Sequence, residues 1–488
     1  MSVSKLHYLD VVDGKFCETS PAELEILFQA ANISEQQNHL VVHFHGGLVS
    51  RADATGVAEL LIPDYRECGC YPVFFFWNSG VLEVLAGNLK EVGEEPVFQR
   101  LVRRLAQFLA AKLSESSGER GLQLQVESLK DIPENGEPLL EWTRQRESAT
   151  ASSVGGLKQT QRDQIERELR QDRMIVEESR AIAAGLREAK DIELELTTRG
   201  KNSPSVRASR KTLMSPAVLK RIAAESPEAG TRSAAMVMAL AKYGVEIAAA
   251  VVGRYRQNRD HGLLATIVEE VARMLYADSI GSTVWQLMKR DTEDAFGGDP
   301  QMHGGTAFIA HLGNWWKPGR RVTLVGHSTG AIYIGHLLEH ADASLPQDFR
   351  FDVVFLAPAC TYEFMCRRLP LFNRRISGFR MFALADALEQ GYWEVPVLYP
   401  ASLLYLVSGL FEESEIDMPI LGMQRYFRAS GPYDRPMTHD VVKWIDDRCV
   451  WSIAEGTLGL QSTACRHGGF CEDITTRASL CHILRSGL

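Results

Sequence analysis

Five short, near-continuous apolar runs separated by amphipathic stretches limit what this chain can become. They lie at 40–45, 71–77, 321–325, 351–356 and 379–385. A strand buried on both faces has no polar side, so it reads as an unbroken apolar run. That is the pattern of a parallel sheet covered by helices. A weaker sixth run, 418–423, carries Pro419, which confines it to a strand start or a sheet edge. Helical patterns fall between the runs, at 53–65, 330–340, 401–411 and 441–447. The alternation predicts an α/β fold with a doubly wound, mostly parallel sheet.

The middle of the chain is different. From about 84 to 300 the patterns are helical with little β signal. Residues 159–189 are rich in Glu, Arg and Gln. Residues 197–205, with Gly200, Asn202 and Pro204, read as a loop or linker. Residues 234–255 and 263–276 are strongly apolar helices. At 488 residues the chain exceeds one ordinary domain. The expected division is therefore a core from 1–84 and 300–488, with 85–299 as a helical insertion, a cap or lid. Removing it leaves roughly 270 residues, a suitable size for one α/β domain. Within it, Leu264, Ile267, Val268, Val271 and Leu275 recur at helical spacing. That stripe either packs as core or lines a pocket for an apolar substrate.

The chemistry centres on Gly326-His327-Ser328-Thr329-Gly330, which follows a strand pattern and opens a helix pattern. A nucleophile at such a turn sits in a strained backbone conformation where bulky neighbours would clash. Glycines two residues either side remove those side chains, and Ser328 Oγ can project above the sheet edge. The helix that begins at Thr329 turns its N–H groups and positive dipole end toward the reacting centre. A second element ends the 40–45 strand, His45-Gly46-Gly47-Leu48. Acyl transfer needs backbone N–H groups aimed at a developing oxyanion. The Gly47 or Leu48 N–H, with that of Thr329, is the expected oxyanion hole.

With these two motifs the chain resembles the α/β-hydrolase superfamily of serine esterases and lipases, over about 40–80 and 305–450. The resemblance implies a catalytic order of Ser, then Asp or Glu, then His. Downstream of Ser328 stand His336, His340, His439, His467 and His482. His336 and His340 lie on the helix leaving the elbow and cannot turn back to it. His439, in a loop-like stretch after the last strand pattern, is the expected general base, with His467 in reserve. Asp386, just after the 379–385 run, is the expected acid that orients it. Glu389, Asp417 and Asp434 are the alternatives.

Other motifs are weaker. His336-Leu-Leu-Glu-His340 matches H-x-x-E-H, yet it falls on the helix after the elbow and no third ligand can be named. Cys465, His467, Cys471 and Cys481 could supply four zinc ligands, but their spacing is irregular. No metal and no cofactor is expected. Phosphate-cradling glycine loops are absent from the sequence.

A net charge of −9 makes the chain a poor polyanion ligand, so nucleic acid is not an expected partner. The start lacks the apolar core of a signal peptide. The most apolar stretch, 234–252, is interrupted by Lys242 and Glu246. Nine cysteines without a secretory signal fit a reducing compartment, so the expected location is cytoplasmic. The resulting expectation is a serine hydrolase that cleaves an acyl ester of a small molecule or lipid. The alternatives are an amidase or peptidase on the same fold, and a catalytically inactive interaction module. Membrane-surface contact through the central helices is a further reading of the insertion.

Overall fold

The computed structural model of the chain describes residues 3–47, 49–77, 88–117, 156–196, 212–224, 232–277, 282–391, 399–412 and 414–488. The chain divides into two compact units. The first is Met1–Val84, Thr283–Tyr392 and Ser402–Leu488; the second is Leu85–Ser282 with Trp393–Ala401. The stretch from 283 to 299, expected in the insertion, belongs to the first unit. Phe296 explains this: its ring stacks on His340 and meets Tyr333 edge-on.

The first unit is built on an eight-stranded sheet. Its strands are β1 (Tyr8–Val12), β2 (Lys15–Phe16), β3 (His39–Phe44), β4 (Tyr71–Trp77), β5 (Arg321–His327), β6 (Phe351–Leu356), β7 (Ile376–Leu384) and β8 (Cys449–Ser452). Their order is β2-β1-β4-β3-β5-β6-β7-β8. Every neighbouring pair is parallel except β1 and β2. All five long runs are strands, and β3, β4 and β6 are buried throughout. The 418–423 run is not a strand. It pairs instead with the segment after β6, where Leu421 N–H reaches the Cys360 carbonyl and Gly422 N–H the Pro358 carbonyl.

Alternation along each strand splits the core into two layers. On one face Val41, Phe74, Phe76, Val325, Val354 and Leu356 pack with helices α2 (Arg51–Glu67) and α7 (Ile474–Ser486). On the other, Phe44 and Phe75 meet Tyr333 of α4 (Gly330–Ser344), and Phe75 meets Phe308 of α3 (Gly304–Trp315) edge-on. Helices α1 (Pro21–Ile33), α5 (Tyr362–Arg375) and α6 (Pro436–Ile445) extend that layer: α1 packs on α3, α5 on α4, and α6 on α5. The fold is therefore α/β, with a mostly parallel sheet covered on both sides.

Among the described residues the second unit is helical, with long helices at Pro96–Ser117, Arg173–Leu196 and Arg232–Arg256. The 197–205 stretch, read as a loop, lies outside the described residues. The segment Ser233–Arg256 is long and apolar enough to cross a membrane, and half of its most apolar window is buried within the protein. The stripe on Leu263–Leu275 is core: Leu264, Ile267, Val268, Val271 and Leu275 are all buried, under the helices Pro96–Ser117 and Arg232–Arg256. The middle of the Leu263–Leu275 helix carries buried charge. Arg254 reaches both Glu269 and Glu270, and Glu269 also accepts from His261 and from the Tyr399 hydroxyl.

Candidate active site

The chain leaves β3 toward β4 on one side and β5 toward β6 on the other, so the connections diverge between β3 and β5. In an open α/β sheet such a divergence opens a crevice at the carboxyl ends of the strands. Both motifs end there. β3 runs into His45-Gly46-Gly47, and β5 ends at His327, one residue before Ser328.

Ser328 has φ +53°, a left-handed conformation in a residue that is not glycine. Such strain costs on the order of 1–3 kcal/mol and persists only where the surroundings enforce it. They do so here. Ser328 N–H donates to the Leu356 carbonyl at 2.8 Å, and the Ser328 carbonyl accepts from Ala359 N–H at 3.0 Å, so the end of β6 holds both sides of the residue. The two glycines are required by close packing. A Cβ on Gly330 would lie 2.4 Å from the Phe44 carbonyl oxygen, and one on Gly326 would lie 2.8 Å from the Gly330 backbone.

The imidazole that reaches Ser328 is that of His467, with Nε2 3.0 Å from Oγ. His467 lies in a short turn, His467–Gly469, between β8 and α7. The stretch is fixed from both ends. Asp473 caps α7 and also accepts from Thr463, while Ser462 and Ala454 exchange main-chain hydrogen bonds. His327 adds a direct strut: its Nε2–H donates to the His467 carbonyl at 3.0 Å, and the two rings pack 5.2 Å apart.

The His467 ring is 3 % exposed, and burial pushes its pKa down to about 4. It is therefore neutral at pH 7, as a general base must be. Its other nitrogen, Nδ1, is buried and has no hydrogen-bond partner among the described residues. For Nε2 to accept the Ser328 proton, the neutral ring must carry its own proton on Nδ1. Among the described residues no carboxylate meets that N–H.

Two more neutral histidines stand at this end of β3, His43 in the strand and His45 in the turn after it. His45 Nδ1–H donates to the Gly46 carbonyl at 2.7 Å, and its Nε2 accepts from Trp77 N–H at 3.2 Å. Its ring stacks on Trp77, which fixes the turn against the end of β4. His43 Nδ1 bonds the Tyr65 hydroxyl at 2.9 Å. Burial lowers His45 to about 4 and His43 to about 3.

Of the expected oxyanion donors, Gly47 and Thr329 face each other. Gly47 N–H donates to Thr329 Oγ1 at 3.2 Å, and a Cβ on Gly47 would lie 2.6 Å from that oxygen. Leu48 lies outside the described residues.

The expected base and acid are placed elsewhere. Pro436 opens α6, so His439 belongs to a helix and not to a loop. Its ring is half exposed and bonds Asp434 at 2.6 Å. Asp386 accepts from the Tyr405 hydroxyl at 2.6 Å and from Gln390 at 2.9 Å. Asp417 is buried under the hydroxyls of Tyr426 and Tyr433, and Glu389 is bonded by the Ser402 hydroxyl. The reserve candidate, His467, is the one beside the serine. On α4, His336 faces Glu339 at 3.3 Å and His340 stacks on Phe296. Among the described residues no group of three or more His, Cys, Asp or Glu side chains could hold a metal ion.

No family model, curated protein or solved structure matches this chain.

Proposed function

We propose that this chain is a serine hydrolase of the α/β-hydrolase type, cleaving acyl esters with Ser328 as nucleophile and His467 as general base. The observation that carries the reading is the 3.0 Å contact of His467 Nε2 with the hydroxyl of a serine held at φ +53°. A strained serine at a strand-to-helix turn, touching a buried neutral imidazole, is the arrangement that acyl transfer needs and that packing alone does not.

In this reading Ser328 Oγ attacks the acyl carbonyl while its proton passes to His467 Nε2. The oxyanion is met by the N–H groups of Thr329 and Gly47, for which the Gly47 N–H must leave Thr329 Oγ1. His467 returns the proton to the departing alcohol. Water, deprotonated by the same imidazole, then cleaves the acyl-enzyme. No described carboxylate meets Nδ1, so among the described residues the imidazolium formed in each step is stabilised by its surroundings alone. The chemistry is thus that of a dyad. An activated ester suits a dyad better than an amide, whose leaving group must be protonated.

The lack of a carboxylate partner for His467 Nδ1 among the described residues also favours a second reading, a catalytically inactive module on this fold. Labelling by a fluorophosphonate, mapped to the modified peptide, separates the two. A hydrolase is labelled at Ser328, and His467→Ala removes the label. An inactive module is not labelled.

A further inference from the structure

A cleft of about 200 Å³ opens in the first unit, between the starts of α4 and α5 and Lys289 of the helix Ser282–Asp294. Its walls carry Lys289, Arg367 and Arg368 against Glu363 and Glu412. Glu412 is buried and already satisfied. Lys289 donates to both of its oxygens at 2.9 Å, and Trp285 Nε1–H donates to one of them at 2.7 Å. Arg367, largely exposed, pairs with Glu363. The Arg368 guanidinium sits over the Phe364 ring, 3.5 Å from its centre, and donates to Glu339 at 2.8 Å. Its Nε is buried with no partner among the described residues.

Most of the donors on these walls are unspent. An ammonium has three N–H donors and a guanidinium five. Glu412 takes two from Lys289, and Glu363 takes one from Arg367. The hydroxyls of Thr361 and Ser414 line the cleft beside them. Thr361 also caps α5, so the positive end of that helix lies at the same place. A cleft with spare donors, and with its carboxylates already paired, suits an anion. We propose that this cleft binds a carboxylate or phosphate group, the anionic end of the ester that Ser328 attacks.

The cleft adjoins the elbow on three elements. Ile332, on its wall, lies one turn of α4 beyond Ser328, about 6 Å of helix rise. Thr361 follows Ala359 by two residues, and Ala359 N–H holds the Ser328 carbonyl. Lys289 follows Met288, whose sulfur would lie 3.2 Å from a Cβ on Gly47. A short acyl chain spans from Ser328 to the cleft, with Ile332 and Met418 as apolar wall for its methylenes. The Arg367 fork meets a carboxylate or phosphate with two parallel N–H bonds, and Lys289 adds its third donor. Placing the ester here rests on the hydrolase reading; the anion site itself does not.

The first test is calorimetric titration of the full chain with inorganic phosphate and with succinate at constant ionic strength. Saturable binding of at least one is expected, and the one that binds identifies the group. Arg367→Gln removes the fork without burying a lone charge, since Arg367 is 72 % exposed. It should weaken the binding by about tenfold, the worth of a hydrogen bond to a charged group. No saturable binding, or equal affinity in the variant, overturns the proposal. The second test compares p-nitrophenyl hemisuccinate with p-nitrophenyl butyrate, whose acyl chains match in length and differ in charge at the far end. The wild type should prefer the charged ester in kcat/KM by about tenfold, mainly through KM, and Arg367→Gln should lose that preference. Turnover of both esters without preference overturns the placing of the substrate. Turnover of neither overturns the hydrolase reading, and the calorimetry alone then decides the anion site.

Discussion

His467 touches Ser328 with one ring nitrogen, Nε2 at 3.0 Å, and buries the other with no partner among the described residues. A carboxylate on Nδ1 would fix the tautomer that leaves Nε2 bare. Among the described residues, the burial of the ring and the His327 strut to its carbonyl are what restrict it. His467→Ala should therefore lower turnover of a p-nitrophenyl ester by about 10⁴-fold or more, with Ser328→Ala as the lower limit. His439→Ala should change it little, because that ring is half exposed and bonded to Asp434. Steady-state kinetics on the three variants decides; a larger loss in His439→Ala would return the base to α6.

Asp386 is a structural carboxylate in this arrangement. It ties Tyr405 and Gln390 together. Asp386→Asn should cost about 1 kcal/mol of stability, the worth of a hydrogen bond to a charged acceptor made weaker. In a triad, the acid-to-amide change costs about 10⁴-fold in kcat. The measurement is kcat beside a urea melt, and a loss approaching that size would identify Asp386 as the missing acid.

The pH profile follows from the buried histidines. An ordinary imidazole is roughly 90 % protonated at pH 5.5. With His467 lowered to about 4, kcat/KM should stay near its plateau at that pH. The same shifts set a lower edge. His43, His45, His336 and His467 are all depressed by burial, to between about 3 and 4. Between those values and 6.5 the unfolded chain binds more protons than the folded one, so stability is full above pH 6.5 and is lost as pH falls toward 4. Acid unfolding should therefore set in before pH 4. Circular dichroism and kcat/KM on the same samples test both points. An activity limb near pH 6.5 with the fold intact would contradict the assignment of His467.

The sheet was legible because its inner strands are buried on both faces and write that burial as unbroken apolar runs. The outer strands were not. β8 is four residues long with alternating burial, and β1 carries Asp10, so neither stands out from a loop. The elbow was legible because two glycines and a serine at a fixed spacing have a steric cause. His467 was harder to find. Its place depends on Ser462, Thr463 and Asp473 folding the stretch after β8, which no local pattern announces. The proline before His439 was the available signal against that residue, since proline at a helix start marks the stretch as helical. The stripe on Leu263–Leu275 could not be resolved by periodicity, because core and pocket linings have the same spacing.

Gly330 tests the elbow without touching its chemistry. A methyl group there would lie 2.4 Å from the Phe44 carbonyl oxygen, a backbone atom that cannot swing aside. Gly330→Ala should push α4 away from β3 and lower the melting temperature by several degrees, an overpacking cost of about 1–3 kcal/mol. Gly56 on α2 has open space around its Cβ position, and Gly56→Ala should stabilise through helix propensity. A melting temperature for Gly330→Ala equal to that of the wild type would show that the β3–α4 contact is looser than described.

The second unit supplies a test of what its apolar stripe does. Val271 is fully buried beside Ile267, Val268 and Leu275, under two helices of the same unit. An aspartate at that position would be a charge with no partner in an apolar layer. Its cost, several kcal/mol, is comparable to the whole stability of a domain. Val271→Asp should thus lower the melting temperature strongly or prevent folding of the unit. In any folded fraction, KM should change by the same factor for acetate and long-chain esters. If the stripe instead bound an acyl chain, KM would rise with chain length, since each buried CH₂ contributes about 0.8 kcal/mol. Val271→Ala separates the two where the aspartate variant does not fold. A packing residue gives a lower melting temperature and an unchanged KM series, whereas a pocket residue gives a chain-length-dependent KM.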